Sequence, residues 1–267
     1  MHISLSTDNL AALATKAAVP RYDRRKLKAG IIHIGVGNFH RAHQAVYLDD
    51  LFNLGLDQDW AIAGAGVRAS DETMRQELLA QDLLTTVVEL TANHAAVRVT
   101  GSMIEFLQVG HPQVILHRLR DPAIRIVSLT ITEGGYFINS ASQALDVTHP
   151  DLVADAANIA APRTAFGLIL AGLIARRARG AMPFTVMSCD NLPNNGQVTK
   201  NAVTGLAAMI DPALAAWIKA NVAFPSSMVD RITPATSDRQ RVLLQDVYGI
   251  VDARPVFCEP FRQWVLD

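Results

Sequence analysis

Strand-like and helix-like patterns that alternate along the chain, a strand-to-helix turn punctuated by Gly35 and Gly37, and an apolar content of 50% over 267 residues predict an α/β fold. The expected architecture is a mainly parallel sheet with helices on both faces and an added β-hairpin, because βαβ crossovers lay their helices over a parallel sheet. A chain of this length and apolarity buries a sizeable core.

The elements follow in order. Residues 6–8 read as the cap of a short N-terminal helix. After the basic segment 21–28, the apolar run 30–36 is a strand ended by a glycine turn, and 38–53 carries a helical pattern. Residues 60–67 are again strand-like. Ser70, Asp71 and Glu72 then open a helix to about residue 81, with the acids at the positive end of its dipole. Segments 85–90 and 96–101 alternate as two strands joined by the polar residues 91–94, which is the expected hairpin. Helix 111–120 precedes the β-branched run 124–131, a third core strand that ends at Thr132, Glu133, Gly134 and Gly135, where the chain must turn. Helix 163–179 leads to strand 183–188, the polar loop 189–196 and helical segments through Lys219. No repeat or flexible linker divides the chain, so one domain is expected.

Several function classes are excluded by composition. The formal net charge is -1 with no block of like charges, so neither nucleic acid nor an acidic membrane surface is an expected partner, and a small molecule is. The longest apolar stretch, 165–175, falls short of the roughly 20 residues of a membrane helix and reads as a buried helix. The N-terminus lacks the basic opening and unbroken apolar core of a secretory signal, and a cytoplasmic location is expected. Cys189 and Cys258 stand far apart, which predicts free thiols and no disulfide framework or zinc ribbon. His40 and His43 have no further ligand at fitting spacing, so no metal is expected.

Ligands of such sheets bind beyond the carboxyl ends of the strands, which directs attention to the glycine turn. In a dinucleotide-binding turn the first glycines allow a tight bend and close approach of a pyrophosphate to the helix N-terminus. Gly35 and Gly37 fit those roles. The candidate cofactor segment is Ile34, Gly35, Val36, Gly37, Asn38, Phe39, His40 and Arg41, with Arg41 as a counter-charge for phosphate. His40 occupies the third glycine position, so the strict G-x-G-x-x-G pattern fails, and a glycine pair serving packing alone is an open alternative. Asp71, after the next strand, is placed to accept from the adenosine ribose hydroxyls, which favours NAD over NADP; nearby Arg68 offsets that preference. The alternative for Asp71 is an ordinary acid at a helix N-terminus.

Four stretches in this order resemble the mannitol dehydrogenase family of long-chain, polyol-specific dehydrogenases: GVGNFHRAHQA (35–45), SLTITEGGY (128–136), FTVMSCDNLPNNG (184–196) and FPSSMVDRITP (224–234). The resemblance implies a Rossmann-type cofactor domain and NAD-linked, metal-independent interconversion of a sugar alcohol and a ketose, or of related hexonates and hexuronates. Family members take the proton on a lysine in a K-x-x-x-x-N-x-x-H helix of a second, mostly helical domain. No such pattern occurs in these residues. Residues 1–267 are therefore expected to be the N-terminal cofactor domain, with the helical substrate domain outside this chain. A face left by that domain is a possible surface for association.

Hydride transfer from a carbinol carbon needs stabilisation of charge on oxygen and an exit for the proton. Asn191, matching the family's asparagine, is the candidate donor to that oxygen, its alternative being an Asx turn. Glu133 is the candidate proton relay, its alternative being a solvated loop carboxylate. Asp230 is the candidate holder of substrate hydroxyls, its alternative an ion pair with Arg231. Two other function classes stay open: a nucleotide-binding fragment or subunit without catalysis of its own, and a different Rossmann-like enzyme such as a methyltransferase.

Overall fold

Five short strands carry the fold in a computed structural model that describes residues 2–91, 95–139 and 144–267. They are β1 (Ala29–Ile34), β2 (Ala61–Ala65), β3 (Met103–Phe106), β4 (Ile126–Leu129) and β5 (Thr185–Ser188). Their order in the sheet is β3-β2-β1-β4-β5, with every neighbouring pair parallel. Every residue of β1 and β2 is buried, as the near-continuous apolar runs of a sheet covered on both faces require.

The two-residue period of a strand sorts β1 between two cores. Ile32 and Ile34 join Val127, Leu129 and Val186 against the helices Pro112–Leu119, Ala165–Ala178 and Asn195–Ile210. Ile31 and Ile62 face the other way, onto Leu48, Phe52 and Leu78 of the helices Gln44–Asn53 and Asp71–Leu79. Each large apolar side chain fully buried in these layers contributes about 1.5–3 kcal/mol. The segment 165–175 is a buried helix, as its composition requires. Thr164 caps it by accepting from the Gly167 N–H at 2.9 Å, and Asp155 in turn accepts from the Thr164 hydroxyl at 2.6 Å.

Three details depart from the sequence expectation. The predicted helix 38–53 is two helices, Asn38–Ala42 and Gln44–Asn53, broken at His43. The His43 ring is held there by the carbonyl of Gln263, distant in sequence, and stacks on Phe39. The expected hairpin forms, as Thr85–Leu90 antiparallel to Ala95–Thr100, but it stands outside the main sheet. Its free edge pairs with Val256–Cys258 in a separate three-stranded sheet, because parallel pairing to a segment so far along the chain leaves no local signal. The main sheet instead ends on β3, a strand the sequence reading passed over. The aromatic C-terminal stretch also supplies strand Gln263–Leu266, antiparallel to Ser227–Asp230.

Candidate active site at the sheet's switch point

Growth of the sheet reverses between β1 and β4, and such a reversal opens a crevice at the strands' carboxyl ends. The turn after β1 borders it. Gly35 has φ +97°, and the Gly37 N–H donates to the Gly35 carbonyl at 2.8 Å. That carbonyl also accepts from the Thr130 hydroxyl at 2.6 Å, so the turn is tied to the end of β4. The two glycines differ. A Cβ on Gly35 would lie 2.1 Å from the Thr130 carbonyl oxygen, whereas one on Gly37 would meet only the Gly35 oxygen at 3.9 Å. The fold requires the first glycine and leaves the second with open space over it.

The crevice has two main compartments, and Gly37, Thr130 and Thr132 border both. The first, about 440 Å³, is lined by Val36, Asp71, Met74, Gly134 and Gly135 among others. The second, about 500 Å³, is lined by Asn38, Phe39, Asp190, Asn191, Asp230 and Thr233. Glu133 shares a shallower adjoining pocket with Asn191 and Thr132. Asn191, Glu133 and Asp230, drawn from three distant segments, thus meet around one end of the crevice, while Asp71 stands at the other.

Each of these carboxylates has a definable setting. Asp71 Oδ2 accepts from the Val67 and Arg68 N–H groups, both at 3.0 Å, so the acid also ties down the loop that leads into its own helix. Glu133 and Asp230 are exposed. Arg231 is buried and directs its guanidinium to Glu89 and to the carbonyls of Ala42 and Glu259; the ion pair with Asp230, the alternative to substrate contact, is not formed among the described residues.

Three members of the candidate cofactor segment, Arg41, His40 and Ile34, lie away from the crevice. The Arg41 guanidinium is buried, donating to the Arg254 carbonyl and to Asn38 Oδ1, and it lines neither compartment. Its expected part as a phosphate counter-charge is therefore corrected: it braces Asn38 from behind. The His40 ring, also buried, stacks on His33 with centroids 3.4 Å apart, and neither of its nitrogens has a hydrogen-bond partner among the described residues. Burial pushes both imidazoles down, His33 to about 3. His33 reaches Ser128 Oγ at 2.8 Å and Thr130 Oγ1 at 2.8 Å, beneath the glycine turn. Ile34 belongs to the apolar core.

Sequence reading missed Asp190 and Asn195. Asp190 accepts from the N–H groups of Ile131 and Thr132, both at 3.0 Å, and from the Tyr136 hydroxyl at 2.8 Å. Burial raises the Tyr136 hydroxyl well above its ordinary pKa, and the Asp190 charge adds to that rise. Buried Asn195 donates to the carbonyls of Asp190 and Ser227 and accepts from the Ser227 N–H, which joins the loop after β5 to strand Ser227–Asp230. Their only local signal was a place in a polar loop following a core strand.

Comparison with known proteins gives consistent matches. The model of the mannitol dehydrogenase Rossmann domain matches residues 29–267. The mannitol 2-dehydrogenase of Cereibacter sphaeroides is 62% identical over 93% of this chain and 52% of its own length. That of Neosartorya fischeri is 43% identical over 99% of this chain and 54% of its own. A solved structure of Pseudomonas fluorescens mannitol 2-dehydrogenase, a ternary complex with NAD and D-mannitol, superposes with TM-score 0.96 at 48% identity, covering 99% of this chain and 54% of that one. A substrate-free D-sorbitol dehydrogenase gives 0.93 at 41%, covering 98% and 55%. The chain spans about half the length of the relatives it matches.

Proposed function

This chain belongs to the mannitol dehydrogenase family, and from that premise we propose that it is the NAD-binding part of a polyol dehydrogenase that interconverts a sugar alcohol of the mannitol type with its ketose. The observation that carries the reading is the crevice divided at Gly37 and Thr132, with a carboxylate for ribose at one end and an amide beside two carboxylates at the other. The open space over Gly37 fits a dinucleotide, since a Cβ there would occupy room that the protein itself leaves unfilled. The names of the relatives, and the NAD and D-mannitol of the Pseudomonas fluorescens complex, support the same chemistry.

Gly35, Val36, Gly37, Asn38 and Phe39 would hold the pyrophosphate and the nicotinamide end, and Asp71 the adenosine ribose. NAD, when bound, supplies the hydride acceptor. Asn191 donates its amide to the carbinol oxygen and stabilises charge developing there; one such donor is worth about 10²–10³ in rate. Asp230 accepts from substrate hydroxyls and fixes the sugar's orientation. Glu133, exposed at the shallow end, passes the released proton to water. The family's lysine pattern is absent from these residues, so the first proton acceptor is assigned to a part of the protein corresponding to the other half of the relatives. No metal is invoked in the reaction. A cytoplasmic setting suits a dinucleotide substrate pool; among the described residues no helix is long and apolar enough to cross a membrane.

The test is NADH fluorescence titration of the 267-residue chain, with NADH oxidation followed in the presence of fructose or fructuronate. Binding without turnover is expected. Absence of NADH binding would overturn the cofactor reading, and turnover would place within this chain the acid–base group that donates the proton in reduction and accepts it in oxidation.

A further inference from the structure

Thr132 has φ +65° and ψ +164°, a backbone conformation that only glycine adopts freely, because a Cβ there crowds the flanking carbonyls. A β-branched residue is the least suited of all to it. Yet Thr132 stands at the common wall of both compartments and of the shallow pocket beside Glu133. A conformation of this kind persists only where the surroundings over-determine it.

The determinant is Asp190. Its Oδ1 accepts from the Thr132 N–H and its Oδ2 from the Ile131 N–H, each at 3.0 Å, so the carboxylate grips the two peptide units that lead into the strained residue. The grip is itself anchored. Oδ2 also accepts from Tyr136 Oη at 2.8 Å, Tyr136 is fully buried, and its oxygen contacts Ser188 Oγ at the end of β5. On the other side, the Asp190 carbonyl accepts from the buried Asn195 amide at 3.0 Å. The carboxylate therefore joins the loop that carries Glu133 to the loop that carries Asn191.

We propose that Asp190 is a positioning residue: it holds Thr132 in its glycine-like conformation, and through it sets the wall against which the dinucleotide lies and the separation of Glu133 from Asn191. It touches the reaction through these neighbours and is not itself a catalytic group. The inference rests on the cofactor reading above. An asparagine at this position retains the shape but not the function, since its NH₂ would face one of the two backbone N–H donors as a second donor.

The experiment is a cycle of Asp190→Asn, Thr132→Gly and the double variant, with Thr132→Ala as control, in the 267-residue chain, reading NADH affinity and thermal midpoint. Asp190→Asn is expected to weaken NADH about tenfold and to lower the midpoint. With glycine at 132, which takes the conformation without the clamp, the same change should cost less than about threefold. Alanine keeps the Cβ and should not rescue. Retained NADH affinity in Asp190→Asn, or equal rescue by alanine and glycine, would overturn the proposal. If Asp190→Asn fails to fold, a soluble double variant with glycine supports the clamp, and an insoluble one overturns it. Failure of the unaltered chain to bind NADH would sink the cofactor reading and the dinucleotide wall with it. The thermal midpoints of the same cycle then decide the clamp alone, a smaller loss with glycine at 132 supporting it and an equal loss overturning it.

Discussion

The carbonyl oxygen of Thr130 lies 2.1 Å from the point where a Cβ on Gly35 would stand, so the end of β4 closes over the turn that follows β1. No comparable contact covers Gly37. Gly35→Ala is expected to destabilise the fold, by about 1–2 kcal/mol from the positive φ alone and by more once the clash is included. Gly37→Ala should melt with the unaltered chain while its NADH affinity falls at least about tenfold. Urea unfolding and fluorescence titration of the two variants check this. Equal loss of stability in both would return the glycine pair to a packing role.

Asn191 is exposed at the mouth of the compartment that Asp230 also lines. In a version of the protein that carries the remaining half of its relatives' length, Asn191→Ala should lower turnover by about 10²–10³ while leaving NADH affinity nearly unchanged. Steady-state rates with mannitol, beside NADH titration, measure the split. Unaltered turnover would remove the amide from the mechanism.

Asp71 places a carboxylate at the far compartment, where a 2′-phosphate would meet like charge. The chain is expected to bind NADH more tightly than NADPH, with Asp71→Asn narrowing the gap. The same variant should keep most of its stability, because the asparagine oxygen can still accept from the Val67 and Arg68 N–H groups. Paired titrations decide, and equal affinity for both cofactors in the unaltered chain would end the preference.

The stacked pair His33 and His40 makes stability depend on pH. Burial holds His33 near 3 and His40 below its ordinary 6.5, so the unfolded chain binds more protons than the folded one below about pH 6.5. Stability from these groups is present above that pH and is lost as pH falls toward 3. The urea midpoint should therefore drop between pH 7.5 and pH 5. His40→Phe should flatten that drop at little cost at pH 7.5, because neither nitrogen of His40 has a hydrogen-bond partner among the described residues. An unchanged slope would show that other groups set the dependence.

Much of the site could be read before any coordinates. Gly35, Gly37, Asp71, Glu133 and Asn191 all follow strands of the main sheet, and residues at strand ends of a doubly wound sheet face the crevice, whereas Asp230 lies in a strand of a separate two-stranded sheet and was singled out by the family resemblance. Arg41 was misread because a helix-start arginine looks the same in sequence whether it points to a ligand or, as here, to the carbonyl of Arg254. Asp190 went unnoticed because its partners, Ile131, Thr132 and Tyr136, lie far back along the chain.

The sequence by itself determined the alternation of strand and helix, the buried helix at 165–178 and the tight turn at Gly35, because each depends on periodicity or on backbone freedom encoded within a few residues. Tertiary structure alone decided that the hairpin joins Val256–Cys258, that β3 closes the main sheet, that the helix breaks at His43, and that Thr132 is held by Asp190. Those features depend on pairing between distant segments. Hydrogen bonding across the folded chain can hold a backbone where local preference would not put it, and local sequence carries no record of the partner.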